Sequence, residues 1–207
     1  MSKPVTCYVA VLADAVASRR LAAPARQALQ QQLRTVLAAV NRQWRNAVVA
    51  RFAITLGDQL EGLLAASAPL WDIIHYLRAE LDGDWIIACG RGPLTTTPGP
   101  PVFELDGPCF HRARQALDAA KSDRLVLAFG GYDNIAAAFG AYYSALYWTW
   151  TARQREAATL LRIMEPAAVA ERLAIDRSAV SHLARRMSWR QVVQGDQAFR
   201  KHLEEVR

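Results

Sequence analysis

Cysteine is scarce in this chain. Cys7, Cys89 and Cys109 are the only three among 207 residues, and no two form a CxxC pair. That excludes both a disulfide framework and a thiolate zinc site, and it suits a reducing compartment. Lysine is equally sparse, at three of the 25 basic residues. No apolar run approaches the roughly 18 residues that a membrane-spanning helix needs, and the densest stretch, Ile135 to Trp150, reads as a buried helix. Met1-Ser2-Lys3-Pro4 opens no charged region followed by a long apolar segment, so the expectation is a cytoplasmic chain without membrane attachment. There is no internal repeat, no low-complexity tract and no readable Ser/His/Asp triad.

What is present is enough apolar residue for a core. Hydrophobic residues make up 52% and charged residues 21%, which excludes a disordered polyelectrolyte. The net charge is +6 and the pI about 9.6, a balance that favours a polyanionic partner such as nucleic acid or nucleotide phosphate. The excess is uneven: residues 151–207 hold eleven basic and seven acidic residues, a net +4.

Hydrophobic spacing predicts the order β-α-β-β-α-β-α-β. Thr6 to Leu12 reads as a strand covered on both faces. Pro24 opens a helix through Val40 with Leu29, Leu33, Val36 and Leu37 on its apolar stripe. Ala47–Leu56 and Leu60–Leu64 flank the turn Gly57-Asp58 as a hairpin. A helix follows over 69–81, a strand over 85–89, a loop over 95–101, a helix from Pro108 to Lys121 and a strand over 124–129. The order implies an α/β (α+β) fold with a ferredoxin-like palm sheet and helices on one face. Tyr132 to Arg155 reads as one long helix carrying Tyr142, Tyr143, Tyr147, Trp148 and Trp150. The expected units are a palm-like domain over 1–130, a connecting helix over 131–157 and a helix-turn-helix domain over 158–207.

Two residue sets carry chemistry in this reading. Asp14 leaves the first strand and Asp58 tips the hairpin, and the topology makes those elements neighbours. Two carboxylates at one point suit Mg²⁺ or Mn²⁺, which takes one or two protein carboxylates beside substrate phosphates. Gly57 supports the turn, and Ser18 and Arg19 follow Asp14 where a phosphate would sit. The competing reading makes Asp14 and Asp58 ordinary turn residues.

The second set lies in the tail. Val169, Ala170 and Leu173, then Ile175, Val180 and Leu183, give the inner faces of two short helices joined by a turn, with Asp176 placed to cap the second. Arg177, Ser178, Ser181, His182, Arg185 and Arg186 remain outside, types that suit base edges and phosphates. A DNA reader of this kind is expected to act as a homodimer on a palindrome. The competing reading is a helix pair used for packing or protein contact.

The blocks Val11–Arg19, Ile54–Asp58 and Leu105–Arg114 resemble the SatD family of small bacterial proteins, with a likeness over nearly the whole chain. The same blocks more distantly resemble the catalytic domain of class III nucleotide cyclases and their GGDEF-type relatives, as far as Lys121. The cyclase likeness implies metal binding by Asp14 and Asp58. It places His111 and Gln115 where cyclases carry ribose- and triphosphate-binding residues, with Arg112 or Arg114 as substitute phosphate ligands. A nucleotide- and metal-binding palm coupled to a DNA-binding helix-turn-helix is the reading favoured. A nucleotide cyclase or related phosphotransfer enzyme, and a DNA-binding protein on a non-catalytic dimerisation scaffold, stand beside it.

Overall fold

A computed structural model describes residues 6–16, 22–99 and 101–206. The sheet is built from β1 (Tyr8–Ala15), β2 (Val48–Leu56), β3 (Gln59–Ala65), β4 (Trp85–Gly92) and β5 (Leu127–Gly130). Between them run α1 (Ala23–Gln43), α2 (Leu70–Glu80) and α3 (Pro108–Asp123). The strand order is β2-β3-β1-β4-β5, with β1 antiparallel to both neighbours and β5 parallel to β4. The first four strands therefore have the ferredoxin-like arrangement, and β5 extends it. The continuous apolar run of β1 has its predicted cause: Val9 to Ala13 are buried, alternately against the two sides of the sheet.

Helices cover both faces, not one. Val9, Val11 and Ala13 pack with the apolar stripes of α1 and α2, whereas Ala10, Leu12, Ala88 and Ala128 pack with Cys109, Phe110, Ala113 and Leu117 of α3. The β3-α2-β4 and β4-α3-β5 connections both join parallel strands and step the same way across the sheet. Placing α3 on the face opposite α2 therefore gives the two crossovers opposite hands, and the usual right-handed preference does not account for its side. Glycine permits the close approach: a Cβ on Gly90 would lie 2.1 Å from the Cys109 carbonyl oxygen.

The expected long helix is two. It breaks into α4 (Asn134–Thr149) and α5 (Ala152–Leu160). Trp150 is extended, and Thr151 caps α5 in a capping box with Gln154. Beyond lie α6 (Pro166–Arg172), α7 (Arg177–Arg186) and α8 (Trp189–Glu205), the last not anticipated from the periodicity. Ala174 takes a left-handed φ of 50° in the turn before α7. Asp176 occupies the cap position of α7, but its side chain accepts no cap hydrogen bond.

The helical half shares the core of the sheet. Trp71 of α2 makes edge contacts with Phe139 and Tyr143 of α4 and Phe199 of α8, and Phe139 stacks on Phe199 at 3.9 Å between ring centroids. Buried Arg78 of α2 donates to the carbonyls of Trp85 and Val126, tying that helix to the starts of β4 and β5.

Candidate functional site

β1 delivers Asp14 to the α3 side of the sheet. It lies two residues beyond Leu12, on the same side of the pleat, and its carboxylate forms an ion pair with Lys121 near the end of α3. The β1–β3 ladder ends at Ala13 opposite Leu60, so the β2–β3 turn sits at the same end of the sheet as Asp14. That turn joins the pair Leu56 and Gln59, and Gly57 supplies a φ of +62°. A positive φ at the first central residue alone is the signature of a type II′ hairpin turn. Asp58 Oδ2 is buried there without a hydrogen-bond partner, as is the hydroxyl of nearby Thr55.

A third carboxylate was missed in the sequence. Glu61 of β3 stands opposite Leu12 in register and is 6% exposed, with Arg114 Nη2 donating to its Oε1 at 3.2 Å. Leu12 and Asp14 face α3, so Glu61 and Asp14 share that face on adjacent strands. Two turns of α3 thus place Arg114 against Glu61 and Lys121 against Asp14. The available signal is a single acid between Leu60 and Leu63 in an otherwise apolar strand.

The remaining predicted nucleotide ligands separate. His111 Nε2 lies 2.8 Å from Asp106 Oδ1 at the start of α3. Arg112 Nη1 donates to the Arg91 carbonyl at 2.7 Å, on the β4 side of the helix. At 1.5 Å rise per residue, His111 and Lys121 are roughly 15 Å apart along α3, so His111 does not converge on Asp14. Ser18 and Arg19 lie outside the described residues. Cys89 and Cys109 are not reactive thiols: burial pushes Cys89 far up and is the main cause raising Cys109 to about 11.

Among the described residues no three His, Cys, Asp or Glu side chains cluster as a metal site. The partnerless Asp58 oxygen and the Asp14 carboxylate lie at the same end of the sheet and are hard oxygen donors of the type Mg²⁺ takes. Lys121 holds Asp14 in the structure and would have to yield it.

The tail presents a different surface. Arg177, Ser178, Ser181, His182, Arg185 and Arg186 are all exposed on α7, while Val180 and Met187 are buried beneath them. Charge pairing distinguishes this face. Arg153, Arg155, Arg162, Arg172, Arg200 and Lys201 each have a carboxylate partner. Among the described residues, Arg177, Arg185, Arg186 and Arg190 have none within ion-pair distance.

The model of the SatD family matches residues 8–125, which span β1 to β4 and α1 to α3. The match ends before α4, so the helical half lies outside it, although the sequence likeness was expected to run further. No curated protein and no solved structure matches the chain.

Proposed function

The chain belongs to the SatD family, and from that premise we propose that it is a regulatory protein binding DNA through α7. The observation that carries this reading is the concentration of unpaired arginine on exposed α7, with Arg190 beside it at the start of α8, while Arg153, Arg162, Arg172 and Arg200 are neutralised. Unpaired guanidinium groups are free to meet phosphates and base edges, and Ser178 and His182 add polar groups beside them. A homodimer would set two copies of α7 on a palindrome.

Fluorescence anisotropy with a mixed-sequence duplex at several salt concentrations tests this. The native protein is expected to bind with a salt slope that falls by about one for each phosphate-contacting arginine removed. The triple variant Arg177→Ala/Arg185→Ala/Arg186→Ala should therefore bind at least tenfold more weakly. Equal binding by that variant would exclude α7 as the DNA surface.

The sheet end carries a second reading, favoured by the partnerless Asp58 oxygen. There Asp14 and Asp58 would hold Mg²⁺ or Mn²⁺, and Arg114 would leave Glu61 to meet a nucleotide phosphate. Such an ion, when bound, neutralises triphosphate oxygens. Calorimetry with each common NTP and Mn²⁺ should show binding that Asp58→Ala abolishes without changing the melting temperature by more than a few degrees. A new product mass in the same samples would make the palm an enzyme. Undiminished binding by Asp58→Ala would place any nucleotide elsewhere and leave the sheet as a scaffold.

A further inference from the structure

The helical half contains an aromatic cleft that neither reading uses, although Arg186 at its rim also belongs to the α7 surface. It has a volume of ≈ 400 Å³ and opens between α4 and α8, with Phe139, Tyr142 and Trp150 on one wall and Met187 and Val192 on the other. That size and mostly apolar lining match small-molecule sites, which run from about 300 to 1,000 Å³.

We infer that this cleft binds a planar aromatic molecule bearing one negative charge. The ring of Tyr143, 4% exposed, forms part of the cleft wall, while its hydroxyl is buried away from the open space. The aromatic wall fits a flat ring by offset or edge packing.

Charge defines the rest of the ligand. Arg162 and Asp196 line the cleft but neutralise each other, with Nε to Oδ2 at 2.7 Å. Arg186 at the rim has no carboxylate within ion-pair distance among the described residues, so one positive charge remains for the ligand.

A separate observation marks the space as built into the chain. Gly195 lies inside α8 and lines the cleft, and a Cβ added there would meet nothing within 4 Å. Glycine inside a helix is less favourable than alanine by about 1 kcal/mol. No close backbone contact and no left-handed φ requires glycine at this position. Its effect is to keep the cleft open.

The test uses the full chain and the anionic aromatic dye 1-anilinonaphthalene-8-sulfonate. The folded protein should give saturable one-to-one fluorescence enhancement. Gly195→Leu, which fills the cleft and raises helix propensity, should weaken binding at least tenfold while keeping a cooperative thermal transition. Arg186→Gln removes the positive charge at the rim and should weaken binding several-fold with no loss of melting temperature. No saturable binding by the native protein, or native affinity in Gly195→Leu, would overturn the inference.

Discussion

His75 of α2 shows how a single buried side chain sets a pH response. Both ring nitrogens are buried without partners. Burial, then the Arg162 and Arg78 charges, hold its pKa well below the ordinary imidazole value. The ring is therefore neutral in the folded protein. As pH falls below about 6.5, the unfolded chain takes up a proton that the folded one refuses, and stability drops. Above that pH both states are neutral and the effect vanishes. His75→Phe should keep stability at pH 7.5 and remove up to ~1.4 kcal/mol per pH unit of the acid-side slope. Urea midpoints between pH 7.5 and 5 check this, and parallel slopes for the two proteins would disprove it. Side chains of this kind were only partly legible. Asp14 and Asp58 stand out because each interrupts apolar sequence at a strand end. Glu61 is hidden because a lone acid in a strand gives no sign of whether its face is buried. That Lys121 holds Asp14 depends on where α3 crosses the sheet.

Among elements, the break between α4 and α5 rests on local chemistry. Thr151 accepts from the Gln154 backbone N–H, and Gln154 Oε1 accepts from the Thr151 N–H. Thr151→Ala should lower stability by ~1 kcal/mol, measurable by chemical denaturation, and Thr151→Ser should restore most of it. Equal stability of all three proteins would mean that packing alone ends α4. The Thr-x-x-Gln signal is present in the sequence, but the unbroken apolar pattern from Ile135 to Trp150 masks it. The side chosen by α3 is of another kind. Its apolar stripe requires burial without saying on which face, and the side opposite α2 is set by packing, with α3 seated closely on Gly90.

Across the whole molecule, the sheet and the helical half are joined by one apolar cluster running from β1 through Trp71 to Phe199 and Leu203. Inside that junction the Arg162–Asp196 pair links the end of α5 to α8, and the two side chains are 4% and 12% exposed. Burial pushes the Asp196 carboxyl up while Arg162 pulls it down, as expected for a desolvated pair held by its own attraction. Asp196→Ala strands a buried guanidinium and should destabilise by about 3–5 kcal/mol. The double change Arg162→Met/Asp196→Leu should lose far less. Thermal melts of the three proteins decide the matter, and a double variant as unstable as the single one would show that shape, not charge, holds this contact. The order of the first eight elements, the hairpin at Gly57-Asp58 and the inner faces of α6 and α7 all follow from periodicity and turn chemistry, because these are local preferences written every two to four residues. The two-sided sheet, the cations that meet Asp14 and Glu61, and the open cleft beside Gly195 were decided by tertiary packing. Each depends on residues distant in the chain being brought together, and a charge or a cavity acquires its meaning only from the neighbours that surround it.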